Sequence, residues 1–132
     1  MFSRKRRQPP IRHLVGEGSV LTGVIVFVDG IRIDGEVHGD VIATGDGASL
    51  VVISEKARLV GKVKGGHVII NGEVEGSVES TDLLELHATS KVIGDVRYAT
   101  LEMHQGATIS GDMRPLSAVE RPALKLAASS GS

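Results

Sequence analysis

Apolar residues between positions 20 and 113 alternate with other residues over runs of only three to five positions, and one five-residue pattern recurs six times. It reads aliphatic, any residue, Gly, any residue, aliphatic or Met. The copies are Leu21–Ile25, Val37–Val41, Leu59–Val63, Val74–Val78, Val92–Val96 and Ile109–Met113, and their central glycines (Gly23, Gly39, Gly61, Gly76, Gly94, Gly111) are spaced 16, 22, 15, 18 and 17 residues apart. A second alternating pair precedes each of the last five copies: Ile31/Ile33, Val51/Ile53, Val68/Ile70, Leu84/Leu86 and Leu101/Met103. In three copies this pair lies 10 and 8 residues before the glycine and in two it lies 8 and 6 before it, so the connecting turn varies by two residues.

A period of two is strand periodicity, and nowhere between residues 20 and 113 do apolar positions hold a helical spacing over about 11 residues. A sandwich would need longer strands with turn signals every 8–12 residues or so. The pattern therefore predicts an all-β solenoid, a triangular β-helix whose rung of about 17 residues holds three short strands and three corners. Six rungs stacked at roughly 4.8 Å make a rod about 29 Å long. Its core should be ladders of like residues: Leu21, Val37, Leu59, Val74, Val92 and Ile109 on one wall, and Ile25, Val41, Val63, Val78, Val96 and Met113 past the next corner. Rungs near 18 residues occur in both hands, and the chirality preference of crossovers favours the right. The repeated glycine suits a corner with positive φ or a close approach between rungs. A phosphate-binding loop would need a following helix, and the pattern offers none.

Composition agrees with a thin core. The 132 residues include 17 glycines but only two Phe, one Tyr and no Trp, as expected where rings have no room. The absence of cysteine rules out a disulfide framework and Cys-based zinc sites. The net charge of −1 hides an asymmetry: Arg4, Lys5, Arg6, Arg7 and Arg12 lie in an acid-free first dozen residues, while the rest holds 10 basic groups and all 16 acids. An acidic body argues against nucleic acid as partner. The basic arm lacks the apolar run of a secretory signal, and no apolar stretch is long enough to span a bilayer.

Three features invite chemistry. His87 and His104 each stand seven residues before their glycine, so they should stack on adjacent rungs about 4.8 Å apart. No carboxylate shares their column and a metal would want a third ligand, so the pair reads as a surface ladder. Asp95 and Asp112, each just after a glycine, could divide acid and base roles as in a polysaccharide-cleaving β-helical enzyme. Asp after Gly is ordinary turn chemistry, however, and no aromatic subsite accompanies the pair. Left-handed acyltransferase solenoids need a strict six-residue repeat, which the Thr44-Gly45-Asp46-Gly47 insertion breaks. Finally, Met1-Phe2-Ser3-Arg4-Lys5-Arg6-Arg7 places an apolar tip before four cations. Phe2 in a membrane interface contributes roughly 1.5–3 kcal/mol and each cation about 1 kcal/mol against anionic lipid. Such an anchor becomes firm only when many copies act together. Pro9-Pro10 would be a stiff spacer, and the Ala-Ala-Ser-Ser-Gly-Ser ending suits a flexible tail.

The tandem pattern resembles the bactofilins, bacterial cytoskeletal proteins. The likeness covers residues 14–113 and is carried best by Ile33-Asp34-Gly35-Glu36-Val37-His38-Gly39-Asp40-Val41 and Ile70-Asn71-Gly72-Glu73-Val74-Glu75-Gly76-Ser77-Val78. It implies a right-handed triangular β-helix (14–113) between disordered termini (1–13 and 114–132) that polymerises without nucleotide into apolar filaments through contacts between like ends. Residues Leu21 and Ile25 at one end, and Leu101, Ile109, Met113 and Leu116 at the other, would form those contacts. Many members carry an aromatic near the last strand, where this chain has Met113 and Leu116. The first five residues look like the family's membrane-targeting peptide. The expectation is a non-catalytic, cofactor-free scaffold at the cytoplasmic face of a bacterial membrane, with itself, anionic lipid and cell-wall or polarity proteins as partners. The rival is a β-helical enzyme acting on a polysaccharide or acyl donor.

Overall fold

The structure, a computed structural model, describes residues 8–116. Within them the chain forms fifteen strands and no helix, and every strand pairing is parallel. The strands stack as a three-walled solenoid of six rungs. The first wall holds β1 (Ile11–Val15), β4 (Gly30–Ile33), β7 (Leu50–Ile53) and the later parts of β9 (Val63–Ile70), β11 (Val78–Leu86) and β13 (Val96–Met103). The second is β2 (Val20–Thr22), β5 (Glu36–His38), β8 (Arg58–Val60), β10 (Glu73–Glu75), β12 (Lys91–Ile93) and β14 (Thr108–Ser110). The third holds β3 (Ile25–Phe27), β6 (Val41–Ala43), the opening parts of β9, β11 and β13, and β15 (Met113–Pro115).

Both predicted ladders are in register. Leu21, Val37, Leu59, Val74, Val92 and Ile109 pair in succession, as do Ile25, Val41, Val63, Val78, Val96 and Met113. Their middle members are fully buried, because each aliphatic side chain is covered by its equivalents above and below. The two-residue variation in spacing lies between the first and second walls. Asp34-Gly35 and Asn71-Gly72 turn that corner in two residues, whereas Ser54–Ala57, His87–Ser90 and His104–Ala107 take four. Each four-residue turn is closed by an amide bonding back to the turn's first carbonyl: Ala57 to Ser54, Ser90 to His87 and Ala107 to His104.

The first rung begins earlier than the aliphatic pattern suggests. β1 starts at Ile11, inside the segment the sequence pattern assigns to the arm, and sets His13 against Ile31 and Val15 against Ile33. The first wall thus has a sixth member, one of whose two inward positions is a histidine.

The repeated glycines form one column at the corner between the second and third walls. Their φ values run from +130° at Gly23 to +153° at Gly111, a region that L side chains avoid. Both roles expected of them hold at once, since from Gly39 onward the place a β-carbon would take at each glycine is filled by the carbonyl of the glycine one rung earlier. Among the described residues no rung precedes Gly23, and a β-carbon there would meet none of their atoms within 4 Å.

Candidate functional site

The two ends of the rod differ. Leu21 and Ile25 lie on the first rung, where Leu21 is 40% exposed while its partner Val37 is fully buried. Leu101, Ile109 and Met113 lie on the sixth, with Met113 38% exposed. Leu116 is different: it is buried, and its N–H donates to the Tyr98 carbonyl at 2.6 Å. Among the described residues each terminal rung also presents strand backbone with no neighbour on one side.

The first rung is apolar on its outside as well. Leu14, Val20, Val24, Val26 and Val28 are 47–66% exposed. One rung on, Leu14 is followed by Arg32, Val20 by Glu36, and Val24 by Asp40. Val26 is followed by Ile42 and only then by Lys64, so the rod's exterior changes from an aliphatic collar to a largely charged surface within one to two rungs. The outside of the sixth rung is polar, with Glu102, Ser110, Asp112 and Arg114. Sequence reasoning followed the inward residues of the Leu21–Ile25 repeat and missed the collar. The signal was in the valines at 24, 26 and 28, which interleave with Ile25 and Phe27 where later repeats, apart from Ile42, carry polar residues.

The chain enters β1 from beside the rod. The Pro10 carbonyl oxygen would lie 2.7 Å from a β-carbon on Gly30, and the Gln8 side-chain amide donates to Nδ1 of His67 at 3.3 Å. Gly30, Leu50 and His67 share one column of the first wall, so residues 8–10 pass along the outside of several rungs. The proposed membrane residues Met1, Phe2, Ser3, Arg4, Lys5, Arg6 and Arg7 lie outside the described residues.

His87 and His104 stack as expected, with ring centroids 4.5 Å apart and planes 14° apart. The carboxylate missing from their column comes from the one two residues earlier. Side chains at i and i+2 share a face of a strand, and Glu85 Oε1 lies 3.1 Å from His87 Nε2. Its other oxygen lies 2.6 Å from Nε2 of His67, which is nearly buried. Burial works to raise the Glu85 carboxyl, but hydrogen bonds and charge from His67 and His87 outweigh it and hold it below the ordinary carboxylate range. Glu102 repeats the arrangement with His104 at 3.0 Å, and Glu36 with His38 at 2.5 Å. The Glu-x-His spacing, readable at 36/38, 85/87 and 102/104, was the signal that inspection of single columns passed over.

Asp95 and Asp112 are neighbours, but Asp95 is occupied by the backbone. Its Oδ1 accepts from the Asp112 N–H at 3.2 Å, as Asp40 Oδ1 accepts from Lys62 N–H at 2.9 Å two rungs along from the first. The post-glycine aspartate thus caps an amide of the next rung, the turn role that its position suggests. Asp95 and Asp112 line a shallow depression with Arg97 and Arg114. On the second wall Arg58 reaches three carboxylates, at 3.6 Å from Glu36, 3.6 Å from Glu73 and 3.1 Å from Glu75. Hydrogen bonding and charge from Glu75, with smaller contributions from Glu73 and Glu36, raise its pKa further.

A family model described as "Bactofilin: Polymer-forming cytoskeletal" matches residues 13–114, from within β1 to within β15. No curated protein and no solved structure matches the chain. Among the described residues no helix is long and apolar enough to cross a membrane.

Proposed function

The chain belongs to the bactofilins, a family of polymer-forming cytoskeletal proteins, and we propose that it builds nucleotide-independent filaments by end-to-end stacking and serves as a non-catalytic scaffold. The observation that carries this reading is the exposure at the first rung, where Leu21 and the outer residues Val20, Val24 and Val26 are all at least 40% exposed. A solenoid end of this kind offers unpaired strand edge and aliphatic cross-section together, and another rung completes both. Contact between like ends is self-complementary and gives filaments without polarity.

Membrane attachment through Met1–Arg7 fits the way the chain enters the rod. Residues 8–10 lie along its side, and Gln8 reaches His67 on the fourth rung, so at Gln8 the chain stands beside the rod and away from its ends. Filament formation would then line up many weak anchors on one anionic surface, and avidity would make binding firm. Recruitment of cell-wall or polarity proteins at the cytoplasmic face of the membrane is the role such a polymer would serve. Negative-stain microscopy of the pure full chain, with no nucleotide or metal added, tests the central claim. Filaments of uniform width are expected, and a monodisperse monomer at tens of micromolar overturns it.

A further inference from the structure

We propose that Glu85, His87 and His104 form a binding site for one zinc ion, which clamps the fifth rung to the sixth. One ligand atom from each of the three lies within 4.8 Å of the other two. Glu85 and His87 belong to the fifth rung and His104 to the sixth. Two imidazoles and one carboxylate are a common protein ligand set for zinc, which leaves a fourth position to water. Ligand chemistry also selects the ion: imidazole nitrogen suits zinc and its first-row neighbours, whereas calcium and magnesium prefer all-oxygen sites.

Two features make this a prepared site rather than a chance meeting of surface groups. The rung spacing already brings the two imidazoles to 4.5 Å between centroids. Zinc–nitrogen bonds of about 2.0–2.1 Å put two tetrahedral ligand atoms roughly 3.3 Å apart, so small side-chain rotations at the half-exposed His104 complete the closure. Glu85 is also held from behind. The Gln8 amide donates to Nδ1 of His67, so a neutral His67 carries its proton on Nε2, the atom 2.6 Å from Glu85 Oε2. That donor fixes one carboxylate oxygen and leaves the other, Oε1, turned toward His87. Outer partners of this kind orient a ligand for its metal. His38 and Glu36 make a similar pair on the second wall, but Val60, not a histidine, follows His38 in its column.

The test is zinc titration of the tag-free full chain, by calorimetry and by competition with a chromogenic zinc chelator, alongside thermal melts. One zinc per chain is expected, with a midpoint rise of about 5 °C or more at a hundredfold excess over Kd. Magnesium should give no rise. His104→Ala, at an exposed side chain, should keep the far-UV circular dichroism of the parent and bind zinc at least tenfold more weakly, as should Glu85→Gln. His38→Ala should bind as the parent does. No binding to the parent chain, parental affinity in His104→Ala, or an equal loss in His38→Ala each overturns the site.

Discussion

The carbonyl oxygen of Gly61 occupies the place where a β-carbon on Gly76 would stand, 1.9 Å from where that carbon would be built. The obstacle is backbone, and the peptide unit that carries it is held by the hydrogen bond from Lys62 N–H to Asp40 Oδ1 at 2.9 Å, so it cannot swing aside freely. Gly23 has a similar φ, +130° against +146°, with open space beside it. The pair separates steric overlap from conformational strain.

Gly23→Ala should therefore cost about 1–3 kcal/mol, the range for a non-glycine residue in such a backbone region. Gly76→Ala adds a clash with a neighbouring rung and should cost more than about 4 kcal/mol, a loss reserved for named structural faults. Urea denaturation of both variants, compared at matched assembly state, checks the ranking. Equal losses would mean that the rungs can part at little cost.

Acid should act partly through Glu85. Its carboxyl is held low by His67 and His87 against the opposing effect of burial. A depressed folded-state pKa contributes stability that is fully present above the unfolded value of about 4.3 and disappears as pH falls through the lower folded value. Glu85→Gln has no such charge to lose. Its melting midpoint should fall less than the parent's between about pH 5 and pH 3, and parallel acid limbs would show that the His67–Glu85–His87 chain is not retained in solution.

The two inward ladders of the second and third walls, six residues each, were legible because a narrow solenoid repeats one requirement at every rung: an aliphatic side chain inside and a glycine at the corner. What escaped was whatever broke that repetition. β1 was cut short because His13 stands where Ile31 and Val51 stand in later rungs. The collar escaped because Val24, Val26 and Val28 point outward, and outward positions carry no constraint from the core. The Glu85–His87–His104 cluster joins a Glu-x-His pair on one rung to a histidine on the next, so it emerges only when two columns and two rungs are read together.

Membrane binding should depend on the arm and leave the rod intact. Deleting residues 1–7, or changing Phe2→Ala together with Arg4, Lys5, Arg6 and Arg7 to Gln, should abolish co-sedimentation with vesicles containing anionic phospholipid. The β-rich circular dichroism should be unchanged, because the described strands begin at Ile11. Raising salt should weaken the parent's binding as well, since the cations contribute through a screened attraction. Undiminished sedimentation of the neutralised variant would reduce the arm to a solubilising segment.

Charges placed at the two ends separate like-end stacking from head-to-tail stacking. Leu21→Arg on the first rung and Met113→Arg on the sixth both alter partly exposed side chains, so each monomer should tolerate the change. Assembly would bury the new ion without a partner, at a cost of several kcal/mol. If like ends meet, each single variant keeps one good end and should stop at dimers, while the double variant should be a monomer. If opposite ends meet, every contact uses one first rung and one last rung, so either single variant alone should be monomeric. A charge reversal on the outside of a middle rung, Lys64→Glu, touches neither end and should leave filaments in place. Sedimentation velocity distinguishes these species. Dimers from both single variants together with a monomeric double variant establish the apolar arrangement, and long filaments from Met113→Arg would move the polymer contact to the lateral walls.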